Sequence, residues 1–341
     1  MNITQTLAAE LTATAAQIEA AVSLLDDGAT VPFIARYRKE ATGGLDDTQL
    51  RTLAERLQYL RELEERRAAV LKSIAEQGKL TPELQSQIEA ADNKTALEDL
   101  YLPYKPKRRT KAQIARENGL QPLADLLLAE QPQDVEAAAA PFVGENVPDA
   151  KAALDGARAI LMEQFAEDAA LIGRLREKLW NEAEIHAQVV AGEEEKGEKF
   201  KDYFDHREAV RTMPSHRALA VLRGRNEGVL HIALKYQPDD TPITQASEYE
   251  QLIAAQFGVS DGCKWLRDTV RLAWRAKIFL SLELEALSRL KEAADHDAIT
   301  VFARNLKDLL LAAPAGRLPT LGLDPGYRNG VKCAVVDDTG K

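Results

Sequence analysis

The sequence predicts a mainly α, multi-helical protein with helix-turn-helix elements, a short β element near residues 228–236 and an incomplete β-hairpin at the C-terminus. Three observations carry this. Apolar residues recur at helical spacing through most of the chain, interrupted by Gly, Pro and Asp. Leu230, Ile232, Leu234 and Tyr236 alternate as a half-buried strand does. The stretch from Gly322 to Lys341, GLDPGYRNGVKCAVVDDTGK, reads as two strands about a Pro325-Gly326 turn.

Taken in order, an amphipathic stretch runs to Leu25 and stops at Asp26-Asp27-Gly28. Thr30 is placed to cap a short helix, PFIARYRK, which tolerates Pro32 in its first turn. Gly43-Gly44 breaks the chain. Asp46 or Asp47 then opens a long helix with Leu50, Leu53, Leu57 and Leu60 on one face, continuing past Val70 and Ile74 to Gly78. Thr81-Pro82-Glu83 starts the next helix, and Thr95 with Glu98 has capping-box spacing. Two helical stretches follow Thr110, separated at Gly119. Leu154, Ala157, Leu161 and Phe165 mark another face, and Ile172, Leu175 and Leu179 extend the pattern towards Ile185.

From Gly192 the texture changes. GEEEKGEKFKDYFDH reads as a linker or exposed turn region. SHRALAVLR follows as a short helix, with Ser215 as cap and Gly224 as stop. Cys263 to Leu290 is apolar on more than one face, which predicts a helix surrounded by others. Ile299, Phe302, Leu306 and Leu309 form a last helical face, ended by Pro314 and Gly316.

Composition narrows the function classes. The 341 residues are 45% hydrophobic and 29% charged, as expected of folded domains rather than a disordered chain. No apolar run approaches the roughly 18 residues of a membrane helix, and no signal peptide is visible, so a cytoplasmic protein without a membrane partner is expected. Cys263 and Cys333 lie far apart without metal-site spacing. His186, His206, His216, His231 and His296 lack ligand spacing. No phosphate-binding or nucleophile motif occurs. No metal, cofactor or catalytic residue is expected, and no enzyme.

The net charge is −10, which taken alone opposes nucleic-acid binding. Screening makes charge a local matter, however, and basic residues gather in three places. Arg36, Arg38 and Lys39 end the short second helix of the apparent helix-turn-helix, where DNA-binding versions meet phosphates. The alternative is a solvated helix end favoured by the helix dipole. Tyr101 to Arg116, YLPYKPKRRTKAQIAR, holds six Lys/Arg and no acid. Its Lys105, Lys107, Arg108, Arg109 and Lys111 beside Tyr101 and Tyr104 suit a single strand. The alternative is a basic surface loop with buried tyrosines. Arg207, Arg211, Arg217, Arg223 and Arg225 surround SHRALAVLR, with amides near Gly224 and Gly228 available to a phosphate. The alternative is salt bridging to Glu193, Glu194 and Glu195.

Asp324 ends the first strand of the C-terminal hairpin, where RNase H-like folds hold a metal-binding carboxylate. Two-metal chemistry needs several acidic groups, and one Asp cannot supply it. An isolated hairpin is marginal in water, so residues 318–341 are expected either to be poorly ordered or to lean on the helical body.

TVPFIARYRKEATGGLD, LEDLYLPYKPKRRTKAQIARENGLQPLA, FKDYFDHREAV with PSHRALAVLRGRNEG, and the C-terminal GLDPGYRNGVKCAVVDDTGK together resemble the amino-terminal part of the Tex family of bacterial transcription accessory proteins. The resemblance implies a helical N-terminal domain over residues 1–191 and a central region over 192–317. Residues 318–341 would be the first hairpin of a truncated RNase H-like domain of the YqgF type. Helix-hairpin-helix elements and an RNA-binding OB-fold would follow in the family, so the chain is expected to be a fragment. The implied function is accessory nucleic-acid binding in transcription, with RNA or DNA and the transcription machinery as partners. A protein–protein scaffold and an RNase H-like nuclease or resolvase with an incomplete site are the alternatives.

Overall fold

The computed structural model describes residues 2–106, 109–242, 244–314, 316–326 and 330–341. Its first stretch runs α1 (Ile3–Leu11), α2 (Ala15–Asp26), α3 (Val31–Tyr37), α4 (Asp47–Glu76), α5 (Pro82–Ala90) and α6 (Lys94–Tyr101). Next come α7 (Lys111–Glu117), α8 (Gln121–Glu130), α9 (Val135–Ala139), α10 (Ala150–Ala166) and α11 (Ala169–Glu182). Strands β1 (Glu184–Val189) and β2 (Asp205–Ala209) precede α12 (Ser215–Asn226) and β3 (Leu230–Lys235). The chain continues through α13 (Glu248–Gln256), α14 (Lys264–Ala273), α15 (Phe279–Leu310), β4 (Thr320–Gly326) and β5 (Gly330–Val336). The protein is mainly α, as the periodicity predicted. It divides into two compact units, Met1–Asn181 with Tyr236–Leu284 and Glu182–Lys235 with Glu285–Lys341.

In the first unit, α4 is the spine. Asp46 and Gln49 close a capping box at its start, and Leu50, Leu53, Leu57, Leu60, Leu63, Val70 and Ile74 keep one face buried. That stripe serves two cores. Its first half packs with Leu7, Ile18, Ala21, Ile34 and Leu45, and its second half with Ile88, Ala91, Leu97 and Tyr101. Arginines along the exposed sides reach neighbouring helices: Arg56 to Glu10 (2.6 Å), Arg61 to Asp26 (2.7 Å) and Arg66 to Glu98 (2.5 Å). Two details of the N-terminal helices differ from expectation. Asn93, not Thr95, caps α6, because its carbonyl oxygen reaches the amide of Ala96. Glu98 is thereby left to pair with Arg66. Thr30 occupies the N-cap of α3, but its hydroxyl makes no capping bond.

These ion pairs predict an acid-sensitive stability. Hydrogen bonds from Arg56, Arg61, Lys94 and Arg66 hold Glu10, Asp26, Glu62 and Glu98 below the usual carboxylate range. Their stabilisation is complete above the unfolded pKa values of about 4. It is lost as pH falls through the lower folded values. The urea midpoint should therefore drop on acidification below about pH 4, and 1 M salt should shrink that drop.

Further along the first unit, α10 packs against α7, α8, α9 and α14. Buried Glu163 on α10 takes a hydrogen bond from Arg116 (2.6 Å) and another from the Thr110 hydroxyl (3.2 Å). Trp274, fully buried, stacks on Tyr249 at 4.6 Å and meets Tyr236 edge-on. Trp274–Ile278 is a π-helical turn between α14 and α15. The helical path from Cys263 buries Leu266, Val270, Trp274, Ile278, Leu282 and Leu287, but Leu272, Leu280 and Leu284 are exposed, so it is not surrounded on all sides as its apolarity predicted.

The second unit holds an antiparallel sheet of order β2-β1-β3, with Ala187 opposite His206 on one side and Ile232 on the other. β3 buries Leu230, Ile232 and Leu234 as the alternation predicted. The helical pattern that seemed to run towards Ile185 ends at Glu182 instead. Ile185, Ala187 and Val189 alternate along β1, a run too short to outweigh the preceding helix in sequence. GEEEKGEKFKDYFDH is not a plain linker: it contains a 3-10 turn, Glu198–Tyr203, with Phe200 buried, and it enters β2. Helix α12 also runs past Gly224 to Asn226, and Gly228 at φ +74° follows it. Gly224 is a packing residue, since a Cβ there would lie 2.5 Å from Leu230 Cδ1.

Two features remain exposed. Ile299, Phe302, Leu306 and Leu309 lie on α15 as expected, yet all four are exposed. The β4–β5 hairpin pairs Thr320 with Val336 through Gly326 with Gly330, and both its faces are open.

Candidate nucleic-acid interface

Helix α3 is built to show cations. Ile34 is fully buried, so one face of this short helix is fixed in the core while Phe33, Arg36 and Tyr37 face outward. Beyond the helix, the turn carrying Arg38 and Lys39 is tied down by buried Thr42, whose hydroxyl donates to the carbonyls of Arg38 (3.3 Å) and Lys39 (3.1 Å). Gly43, at φ +61°, receives a 2.8 Å hydrogen bond on its carbonyl from Gln17, the residue that also closes the capping box of α2. A Cβ at Gly43 would lie 2.8 Å from Gln17 Cγ. Gly43→Ala should thus cost about 1–2 kcal/mol in urea unfolding, from left-handed backbone strain and the displaced Gln17.

The electrostatics of this platform are distinctive. Arg36, Arg38 and Lys39 are all exposed, and among the described residues none has an ionic partner. On adjacent α4, by contrast, Arg51, Arg56, Arg61, Arg66 and Arg67 are each paired with a carboxylate. The Arg38 guanidinium lies 5.3 Å from the Phe33 ring centre and that of Arg36 lies 6.0 Å from Tyr37. The α3 C-terminal dipole favours these cations without neutralising them.

The other clusters are differently disposed. Lys105 and Lys111 are exposed, but Arg109 is held by Glu117 (Nε–Oε2 3.0 Å) and Arg116 by Glu163. Lys107 and Arg108 lie outside the described residues. Tyr101 is buried and Tyr104 half-buried, packed on the second core, so neither tyrosine offers an open face. On α12, Arg217 pairs with Glu208 (3.3 Å), while Arg223 and Arg225 are exposed in the last turn. Arg207 and Arg211 each have an interaction partner as well. The amide of Gly228 is already spent on the carbonyl of Arg225 (3.0 Å), which removes it as a phosphate donor. Glu193 pairs with Lys196 rather than with this cluster.

Within the first unit, the two basic clusters lie over different cores. The α3 cluster rests on the core of the first half of α4, and Tyr104 beside the second cluster rests on that of the other half. The α12 arginines belong to the second unit. Asp324 faces Lys332 across the hairpin at 3.8 Å, and the described residues hold no group of three metal-ligating side chains. Sequence reading missed Phe33 and Tyr37. Their spacing of four places them together on α3, and that spacing was the available signal.

Comparison with known proteins decides the family. A model described as Tex central region-like matches residues 130–302, and one for the Tex-like protein N-terminal domain matches residues 1–75. The chain belongs to the Tex family. Among curated Tex relatives, the transcriptional accessory protein Tex of Neisseria gonorrhoeae is 85% identical over all of this chain, which spans 45% of that protein. Protein tex of Bordetella pertussis is 54% identical over 98% of the chain and 44% of its own length. A human protein named S1 RNA-binding domain-containing protein 1 is 26% identical over 93% of the chain and 33% of its own length. The chain thus spans less than half the length of the Tex proteins it matches. No helix among its described residues is long and apolar enough to cross a membrane.

Proposed function

We propose that this Tex-family chain serves as an accessory nucleic-acid surface in transcription, gripping phosphates through Arg36, Arg38 and Lys39 without reading sequence. The observation that carries this is the contrast on adjacent helices. In a chain with 54 acidic and 44 basic residues, the α4 arginines are neutralised and the α3 cations are not. Lys105 and Lys111, and separately Arg223 and Arg225, are secondary contacts on the same principle. An accessory role in transcription is supported by the name of the Neisseria gonorrhoeae relative, transcriptional accessory protein Tex. The proposed division is an N-terminal domain over 1–191, a central region over 192–317 and the start of a further domain over 318–341.

Fluorescence anisotropy of the chain with labelled single-stranded RNA, single-stranded DNA and duplex DNA tests this at 50 and 200 mM salt. Backbone contact predicts binding in 50 mM that weakens several-fold or more by 200 mM. Absence of binding at 50 mM would make the chain a protein scaffold, a reading favoured by one observation, the exposed Ile299, Phe302 and Leu309 of α15.

A further inference from the structure

We propose that Phe33 and Tyr37 form a stacking platform for the bases of a single-stranded nucleic acid; resting on the phosphate-contact reading above, this adds a strand preference to it. The two rings sit one helical turn apart, 5.4 Å between centres and tilted by 48°, and are 41% and 60% exposed. Every other described aromatic side chain of the first unit is buried or half-buried. Exposure of two large rings together costs apolar burial, and it occurs where three cations also lack carboxylate partners.

The chemistry of this combination selects the partner. Cations with no carboxylate demand an anion, and open aromatic faces demand flat π surfaces or apolar groups. A single strand offers phosphates and unstacked bases in alternation, and each base stacked on an aromatic ring contributes about 1–3 kcal/mol. A duplex hides its base faces within its own stack, so it offers these rings nothing without the cost of unstacking. The Arg38 and Arg36 guanidinium carbons lie 5.3 and 6.0 Å from the centres of the Phe33 and Tyr37 rings, so cation and ring are presented together. Ile34 and the Thr42 and Gln17 contacts hold the platform in place, which lowers the ordering cost of binding.

The test uses the whole chain at 50 mM salt with four anisotropy probes: a fluorescein-labelled 12-mer of deoxythymidine, an abasic 12-mer with the same phosphates, a 12-base-pair duplex, and polyglutamate of matched charge. The expected result is binding of the thymidine strand about 10-fold or more tighter than the abasic strand. Phe33→Ala/Tyr37→Ala should bring the two strands level and leave the abasic affinity unchanged. Phe33→Leu/Tyr37→Leu keeps apolar volume and should show the same levelling, which removes a folding defect as the cause. Equal binding of the thymidine and abasic strands by the unsubstituted chain would overturn the platform and leave phosphate contact standing. Tightest binding to the duplex would overturn it in favour of groove docking, and equal binding of polyglutamate in favour of an acidic protein segment. No binding by any probe would overturn both readings.

Discussion

Arg67→Met should lower the stability of the first unit by about 3–5 kcal/mol, whereas Arg51→Met should cost less than about 0.5 kcal/mol. Both arginines lie on α4 and both meet a carboxylate, so charge alone does not separate them. Arg67 is 4% exposed. Its Nε donates to the carbonyl of Ile88 (3.1 Å), its Nη2 to that of Ala91 (2.6 Å), and Nη1 meets Glu64. It therefore ties α4 to the end of α5. Methionine fills much of the same volume but leaves the Ala91 carbonyl without the Arg67 donor, the Ile88 carbonyl with only a long bond from the Ala91 amide (3.4 Å) and Glu64 without its cation, and an orphaned buried acceptor costs about 1–3 kcal/mol. Lysine should recover little, because an ammonium lacks the planar fork that reaches three acceptors at once. Arg51 is mostly exposed, so water replaces Asp47 when it is lost. Urea unfolding of the three variants beside the parent chain measures the difference; equal costs at the two positions would refute this account of the α4–α5 joint.

The second large effect is on binding. Arg36→Ala/Arg38→Ala/Lys39→Ala should weaken affinity for a single strand about 100-fold at 50 mM salt, because three phosphate contacts and their counterion release disappear together. All three side chains are exposed and without ionic partners among the described residues, so folding stability should stay within about 0.5 kcal/mol of the parent. Lys105→Ala/Lys111→Ala should cost less, since its neighbours Arg109 and Arg116 are already committed to carboxylates. A larger loss there than on α3 would move the site to the second cluster.

Much of the helical fold was legible because its signal repeats. Leu50, Leu53, Leu57, Leu60, Val70 and Ile74 announce α4 by spacing alone. The same stripe also contained a warning that went unread: Arg67 falls between Leu63 and Val70 on the buried face, while its neighbour Arg66 points outward. A cation on an apolar stripe signals buried acceptors, which only the tertiary fold supplies. Strands β1 and β2 were hidden for another reason. β1 alternates Ile185, Ala187 and Val189, but this short run follows directly on a helical pattern, and β2 is DHREA, held by pairing to β1 rather than by its own apolar pattern. Gly224 illustrates the limit of punctuation rules, since a glycine marks a helix end and a close approach equally well, and Leu230 decides which.

The candidate site was legible in charge and opaque in partnership. Arg36, Arg38, Lys39, Arg109, Arg116 and Arg217 look alike in sequence. The separation of the first three from the rest comes from Glu117, Glu163 and Glu208, which the fold brings beside the others. Phe33 and Tyr37 were likewise indistinguishable from core aromatics until Ile34 proved to be the residue that α3 buries.

The most direct test of the central claim is a salt titration of single-strand affinity for the parent chain and the Arg36→Ala/Arg38→Ala/Lys39→Ala variant. A second variant, Arg51→Ala/Arg56→Ala/Arg61→Ala, loses equal charge from residues that are already paired and serves as control. Plotted as log K against log salt concentration, the parent slope should be shallower by about 2 in the α3 variant, near 0.7 for each single-strand phosphate contact removed. The control should keep the parent slope. Equal slopes in the parent and the α3 variant, or an equal flattening in the control, would contradict the assignment of phosphate contact to helix α3.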